Sequence, residues 1–142
     1  MANAVYNVIK VEFGKGTINW ADSNSVFKCA LVTSDYTPDV DNHKHFSDVT
    51  NEVSGQGYTA GGAEITGRTV TEDDANDLAK YDADDTTWEN STITARGAVI
   101  YKDTGDASTS PLIAYIDFGA DQSSDNASFT IKWDPNGIFS IN

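Results

Sequence analysis

The sequence predicts an all-β fold: an antiparallel β-sandwich or jelly-roll-like barrel of about eight strands with long irregular loops. Three observations predict it. Leucine is nearly absent, with only Leu31, Leu78 and Leu112, while Val, Ile, Thr, Tyr and Phe carry the apolar content, a composition that fits pleated strands better than helices. Short apolar runs recur at intervals of about ten residues, separated by clusters of Gly, Asp, Asn and Ser, which are turn formers. No stretch sustains a long helical period. A length of 142 residues fits one domain, 1–142, large enough to bury a core without disulfides or metal.

Residues 4–13 alternate imperfectly, with Val5, Val8, Ile9, Val11 and Phe13 apolar. They read as a first strand or, over residues 1–16, as an extended N-terminal arm or edge strand. Gly14-Lys15-Gly16 breaks the run. Thr17-Ile18-Asn19-Trp20 is short and ends at the turn Asp22-Ser23-Asn24. Residues 26–33 form a strand, and Lys28 marks a partly wet point on it. Residues 34–52 are a polar excursion with a turn at Tyr36-Thr37-Pro38-Asp39, and residues 41–49 have room for one helical turn, with Phe46 and Val49 on a shared face. Gly55, Gly57, Gly61 and Gly62 then predict a loop with left-handed backbone. It is not a phosphate loop, because no Lys and no helix pattern follow it.

Residues 63–70 form a strand anchored by Ile65 and Val70, residues 71–77 an acidic turn, and residues 78–82 a short strand. Residues 84–88 lead into the most apolar part of the chain, the runs 93–101 and 112–118, joined by a polar connector at 102–111. Two such runs read as an antiparallel pair. Little polar surface is left on either face, so this pair belongs at the centre of a sheet. Residues 127–133 form another strand, Asp134-Pro135-Asn136-Gly137 a turn, and residues 138–141 the last strand.

Composition limits function. The net charge of -13 opposes direct binding to nucleic acid and to anionic membrane surfaces. No apolar run approaches transmembrane length and no signal sequence is evident at residues 1–6. Without one, the glycosylation patterns Asn90-Ser91-Thr92 and Asn126-Ala127-Ser128 carry no weight. Cys29, the one cysteine, lies in an apolar run and reads as a small buried hydrophobe. No Gly-x-Ser-x-Gly elbow is present, and no group of residues forms a catalytic constellation, so the chain reads as a non-enzyme.

The acidic stretch 72–85 raises a calcium site, but after Asp82-Ala83-Asp84 the loop has Thr87 where glycine belongs and Ile93 where glutamate belongs. A solvated acidic surface is the better reading, and no cofactor is expected. His43 and His45, with Asp39 or Asp41, could take a transition metal only if a strand held them on one face, and the region reads as loop. Trp88 and Trp133 read as core, while Trp20 stands beside a turn. Arg96, inside the most apolar strand, is either solvent-facing at an edge or a paired charge at an interface.

Several passages resemble a family of small structural proteins of tailed-phage virions. They are Thr33-Ser34-Asp35-Tyr36-Thr37-Pro38, the block from Asn51 through Gly61-Gly62, Ser91-Thr92-Ile93-Thr94-Ala95-Arg96, Leu112-Ile113-Ala114-Tyr115-Ile116-Asp117-Phe118-Gly119, and Trp133 with Gly137-Ile138. The resemblance runs over residues 26–141. It implies a virion location and a binding role with no catalytic residues to carry over. The placement expected from it is a capsid cement or decoration protein on the outside of the shell, a homo-oligomer (a trimer is favoured) that binds the major capsid protein. The alternative is a tail or fibre module contacting host glycans. Partner-contact candidates are Val5 and Tyr6 in the arm, Trp20, Tyr36, Gly57 and Tyr58 in or beside the loops, and Arg96.

Overall fold

The computed structural model describes residues 3–134 and 137–141, and it is an all-β, sandwich-like fold with one short helix. The elements are β1 (Ala4–Val5), α1 (Asn7–Lys15), β2 (Val26–Val32), β3 (Ala63–Glu64), β4 (Thr69–Asp73), β5 (Leu78–Asp82), β6 (Thr86–Ser91), β7 (Thr94–Asp103), β8 (Leu112–Ser123), β9 (Ala127–Ile131) and β10 (Phe139–Ile141). Five strands form the main sheet in the order β1-β8-β7-β2-β3. Two smaller sheets, β10-β5-β4 and β6-β9, complete the set, and every pairing is antiparallel.

The pair β7–β8 lies inside the main sheet, where Gly97–Tyr101 and Leu112–Tyr115 are buried. Both faces of this sheet are covered. Cys29, Leu31, Ala98, Ile100 and Ile113 join one core with Trp88, Phe129, Ile131 and Phe139 from the smaller sheets. Ala30, Val32, Val99, Tyr101, Leu112 and Tyr115 point the other way and pack with Tyr6 and Tyr36, under Val8, Val40, Phe46 and Val49. Adjacent residues of β2 and β7 therefore bury side chains on opposite faces, the pattern of a strand buried on both sides. Lys28 meets Asp103 across the ladder at 2.9 Å, which accounts for the one cation in β2.

Residues 4–13 depart from expectation. Only Ala4–Val5 is extended, at the edge of the main sheet against Tyr115 and Ala114. From Asn7 the chain turns into α1. Ile9 and Phe13 are four residues apart, so a helix brings them to one face, where Ile9 is fully buried and Phe13 stacks on Tyr81 at 5.5 Å. Gly16 ends the helix in the left-handed region (φ 74°), donating to the Glu12 and Phe13 carbonyls. The extended-arm reading of residues 1–16 is thus corrected for the described part, and Met1 and Ala2 lie outside the described residues.

The expected strand at 63–70 is split. Gly67, with φ 64°, turns the chain between β3 and β4, and Ile65 is buried while Val70 is exposed. β6 is an additional strand, polar on one side, with Trp88 and Ser91 buried and Thr87, Glu89 and Asn90 exposed. In the turn 134–137, Gly137 donates to the Asp134 carbonyl at 2.8 Å; Pro135 and Asn136 fall outside the described residues.

Candidate functional site

The long loops form an ordered layer on the main sheet, with residues 33–50 over the face that carries the Tyr6–Tyr36 core and residues 52–62 sending Val53 and Tyr58 to the opposite core. Its first part, residues 33–50, is fixed by side-chain hydrogen bonds. Asp39 accepts the Asp41 and Asn42 amides at 3.1 Å each, closing a turn. The Asp39 amide donates to His43 Nδ1 at 3.2 Å, so this nitrogen carries a lone pair. Tyr36 OH lies 3.0 Å from the same nitrogen and donates to it, and Tyr6 OH, 2.8 Å from Tyr36 OH, donates in turn. This chain ties α1, the loop and the sheet together. Burial, first of all, raises both tyrosine pKa values above the usual phenol range.

A 3₁₀ turn at Phe46–Asp48 follows, with reciprocal hydrogen bonds between His45 and Asp48. Asp48 accepts the Lys44 and His45 amides at 2.9 and 3.0 Å, and these bonds hold its carboxyl below the ordinary aspartate range. Phe46 lies flat on Tyr101, with ring centres 4.1 Å apart.

The second part, residues 52–62, centres on Glu52. Its Oε2 accepts from Tyr58 OH at 2.5 Å and from the Gly61 amide at 2.7 Å. Tyr58 OH accepts the Leu31 amide at 2.9 Å, and Tyr101 OH donates to the Gly61 carbonyl at 2.6 Å. Gly55, Gly57, Gly61 and Gly62 all have positive φ. The tightest is Gly62, where an added Cβ would stand 1.9 Å from the Cys29 carbonyl oxygen. The glycine-rich block is therefore explained by a backbone laid directly on the sheet.

Compared with known protein families, curated proteins and solved structures, the chain matches none.

The structure scatters the seven contact candidates. Tyr6, Trp20 and Tyr36 are buried, which corrects their reading as surface contacts: their rings fill the two cores and their polar atoms are bonded inside the protein. Trp20 Nε1 donates to the Asp82 carbonyl at 3.1 Å. Tyr58 is half-buried, and burial with the Glu52 bond pushes its hydroxyl pKa up. Val5 is half-buried at the sheet edge, and of the seven Gly57 alone is exposed. Arg96 is a paired charge: its Nε donates to Asp117 Oδ1 at 3.1 Å. The pair sits where Ala95 faces Gln122 but Gly97 faces Asp117, so β8 bulges outward between them. A cavity of about 120 Å³ beside it is lined by Ser34, Tyr36, Thr37, Arg96, Tyr115 and Asp117.

Trp88, Trp133 and Cys29 are buried as expected, and burial pushes the Cys29 thiol pKa up. Acidic residues of the 72–85 stretch hold backbone: Asp73 caps its turn by accepting the Asn76 amide at 3.3 Å, Asp82 accepts the Ala83 amide at 2.8 Å, and Asp85 accepts the distant Trp133 amide at 3.2 Å. Among the described residues, no group of three His, Cys, Asp or Glu is placed to hold a metal ion. No helix among them is long and apolar enough to cross a membrane. A cavity of about 390 Å³ is an open depression between β8 and β9 walled by Phe118, Phe129, Ile131, Ser128, Thr130 and Gln122.

Sequence reasoning missed Arg68. Its guanidinium donates to the carbonyls of Trp20 (2.8 Å), Ile65 (2.7 Å), Asp22 (2.7 Å) and Ser25 (3.0 Å), and lies over the Phe27 ring at 4.7 Å. The signal available was its place after Gly67, where a cation follows a turn and precedes a polar strand.

Proposed function

We propose that this chain is a structural protein of a tailed-phage virion, a cement or decoration protein that attaches to the outer face of the capsid shell and braces neighbouring major capsid subunits. The reading starts from the resemblance carried by residues 26–141. One observation supports it most: the loops 33–62 are long and irregular, yet braced internally by Asp48 and pinned to the rest of the fold through Glu52, Tyr58 and the Tyr6–Tyr36–His43 chain. Preordered loops lose little entropy on docking, which suits a protein that must grip a fixed lattice. Loops that gate a catalytic site need the opposite property. The charge of -13 would lie on the particle exterior, away from the packaged genome.

The glycan-binding alternative drew on Trp20, Tyr36 and Tyr58 as exposed stacking platforms. Two of the three are buried, so it loses its main support. A cryo-EM reconstruction of the virion carrying this chain tests the reading. Density in many copies over the shell, at three-fold or quasi-three-fold junctions, is the expected result. Density limited to a few copies at the tail would overturn it.

A further inference from the structure

β4 is an open sheet edge. It ends the β10-β5-β4 sheet and, among the described residues, pairs with β5 alone. Thr69, Val70, Thr71 and Glu72 are all exposed. An edge strand aims the N–H and C=O groups of alternate residues outward, a ready template for another strand. Natural edges are commonly blunted by Pro, Lys or a bulge. β4 has no Pro, Lys or bulge: its sequence is Thr-Val-Thr-Glu-Asp, its only charges are the acids at its end, and it keeps continuous register with β5 over five residue pairs.

The edge is also apolar where a covered strand would be. Val70 pairs with Tyr81, so the two side chains share a face. Tyr81 uses that face to stack on Phe139 at 4.6 Å and on Phe13 at 5.5 Å. Val70 therefore looks toward the core side, yet it is 43% exposed. The apolar layer stops one strand short of covering it.

Charge selects the occupant. Glu72 is two residues from Val70 and on the same face, and Asp73, Asp74 and Asp77 follow at the hairpin tip. Lys80 reaches Asp73 at 3.8 Å, so the acids outnumber the base there. A second copy of this chain would bring its own -13 and the same acidic end.

We propose that β4 is a docking edge for an extended, Lys- or Arg-bearing segment of a partner protein, which adds as a fourth strand to the β10-β5-β4 sheet. The guest sets an apolar residue beside Val70 and a basic residue opposite Glu72, two positions apart on one face. Main-chain hydrogen bonds hold it, and this spacing gives the specificity. The inference does not depend on the virion reading.

The test uses the full chain, ¹⁵N-labelled, titrated with a synthetic heptapeptide of alternating threonines that carries valine and lysine at the two same-face positions. A control peptide has glutamate in place of lysine. The expected result is saturable amide shifts centred on residues 69–73, with the lysine peptide binding about tenfold tighter than the control, as one cross-strand charge reversal allows. Glu72→Lys, on an exposed site, should reverse the preference. No shifts at 69–73 at millimolar peptide, equal binding of both peptides, or a preference unchanged by Glu72→Lys would overturn the proposal. So would a solution dimer that buries β4, seen by sedimentation.

Discussion

Two glycines with the same backbone sign show how packing, rather than conformation alone, fixes a residue. Gly62 (φ 85°) and Gly105 (φ 91°) both occupy the left-handed region. A Cβ at Gly105 meets nothing within 4 Å, whereas one at Gly62 would overlap the Cys29 carbonyl. Gly105→Ala should cost only the left-handed strain, about 1 kcal/mol. Gly62→Ala must also displace the loop from β2 and should cost about 3 kcal/mol or more, read by chemical denaturation. Equal losses would show that loop 52–62 does not lie against the sheet as described. Arg68 is the second residue-scale case. Four carbonyls converge on a planar fork that lysine cannot reproduce. Arg68→Lys should therefore destabilise by about 2–3 kcal/mol despite keeping the charge. A loss below about 0.5 kcal/mol, the range of an ordinary surface change, would show that the carbonyls find other donors.

At the scale of elements, the strands rich in Val, Ile and aromatics were legible and the helix was not. β2, β5, β7, β8, β9 and β10 are legible because buried strands with turn formers at their ends repeat a simple pattern. α1 was missed because its β-branched content suggests a strand, while the decisive pair Ile9 and Phe13 is a single helical step that a short window hides. β6 was missed because only half of it is buried, so its pattern is polar with Trp88 standing in it. The contact residues were the least legible part. An aromatic beside a turn looks the same in sequence whether its ring faces solvent, as expected of Tyr36, or fills a second core under a loop, as it does. The helix assignment makes a sharp prediction. Ile9→Ala should cost about 2–4 kcal/mol, while Val11→Ala, at a site 54% exposed, should stay within about 0.5 kcal/mol. Strand alternation would instead give positions 9 and 11 the same face and similar costs. By the same argument, deleting residues 1–12 removes Tyr6 and Ile9 from the two cores and should unfold the domain, contrary to what a detachable arm would allow.

At the scale of the whole molecule, the excess of acid is tied to the shape of the fold. A sheet covered on both faces needs long connections, and these connections close their turns with aspartates. The carboxyls of Asp22, Asp39, Asp48, Asp73, Asp103 and Asp106 are all held below the ordinary aspartate range. The first causes are the amide of Asn24 for Asp22, the side chain of Asn42 for Asp39 and the amide of Lys44 for Asp48. For Asp73, Asp103 and Asp106 they are the side chains of Asn76, Lys28 and Ser108. A carboxyl with a lower pKa in the folded than in the unfolded chain binds fewer protons when folded. Its contribution is complete above the unfolded value, about 4, and is lost as pH falls through the folded value. The melting temperature should thus hold between pH 7 and 5 and fall steeply below about pH 4. Asp48→Asn isolates one of these caps. Asn keeps an acceptor but not the charge, so the variant should lose about 1 kcal/mol or less at pH 7. The gap between wild type and variant should then close as pH falls through the lowered folded value of Asp48, below which the wild-type carboxyl is itself neutral. A gap of constant size from pH 7 to 2 would mean that Asp48 acts through shape alone, and that acid weakens the protein at other carboxyls, such as Asp39 in the same loop.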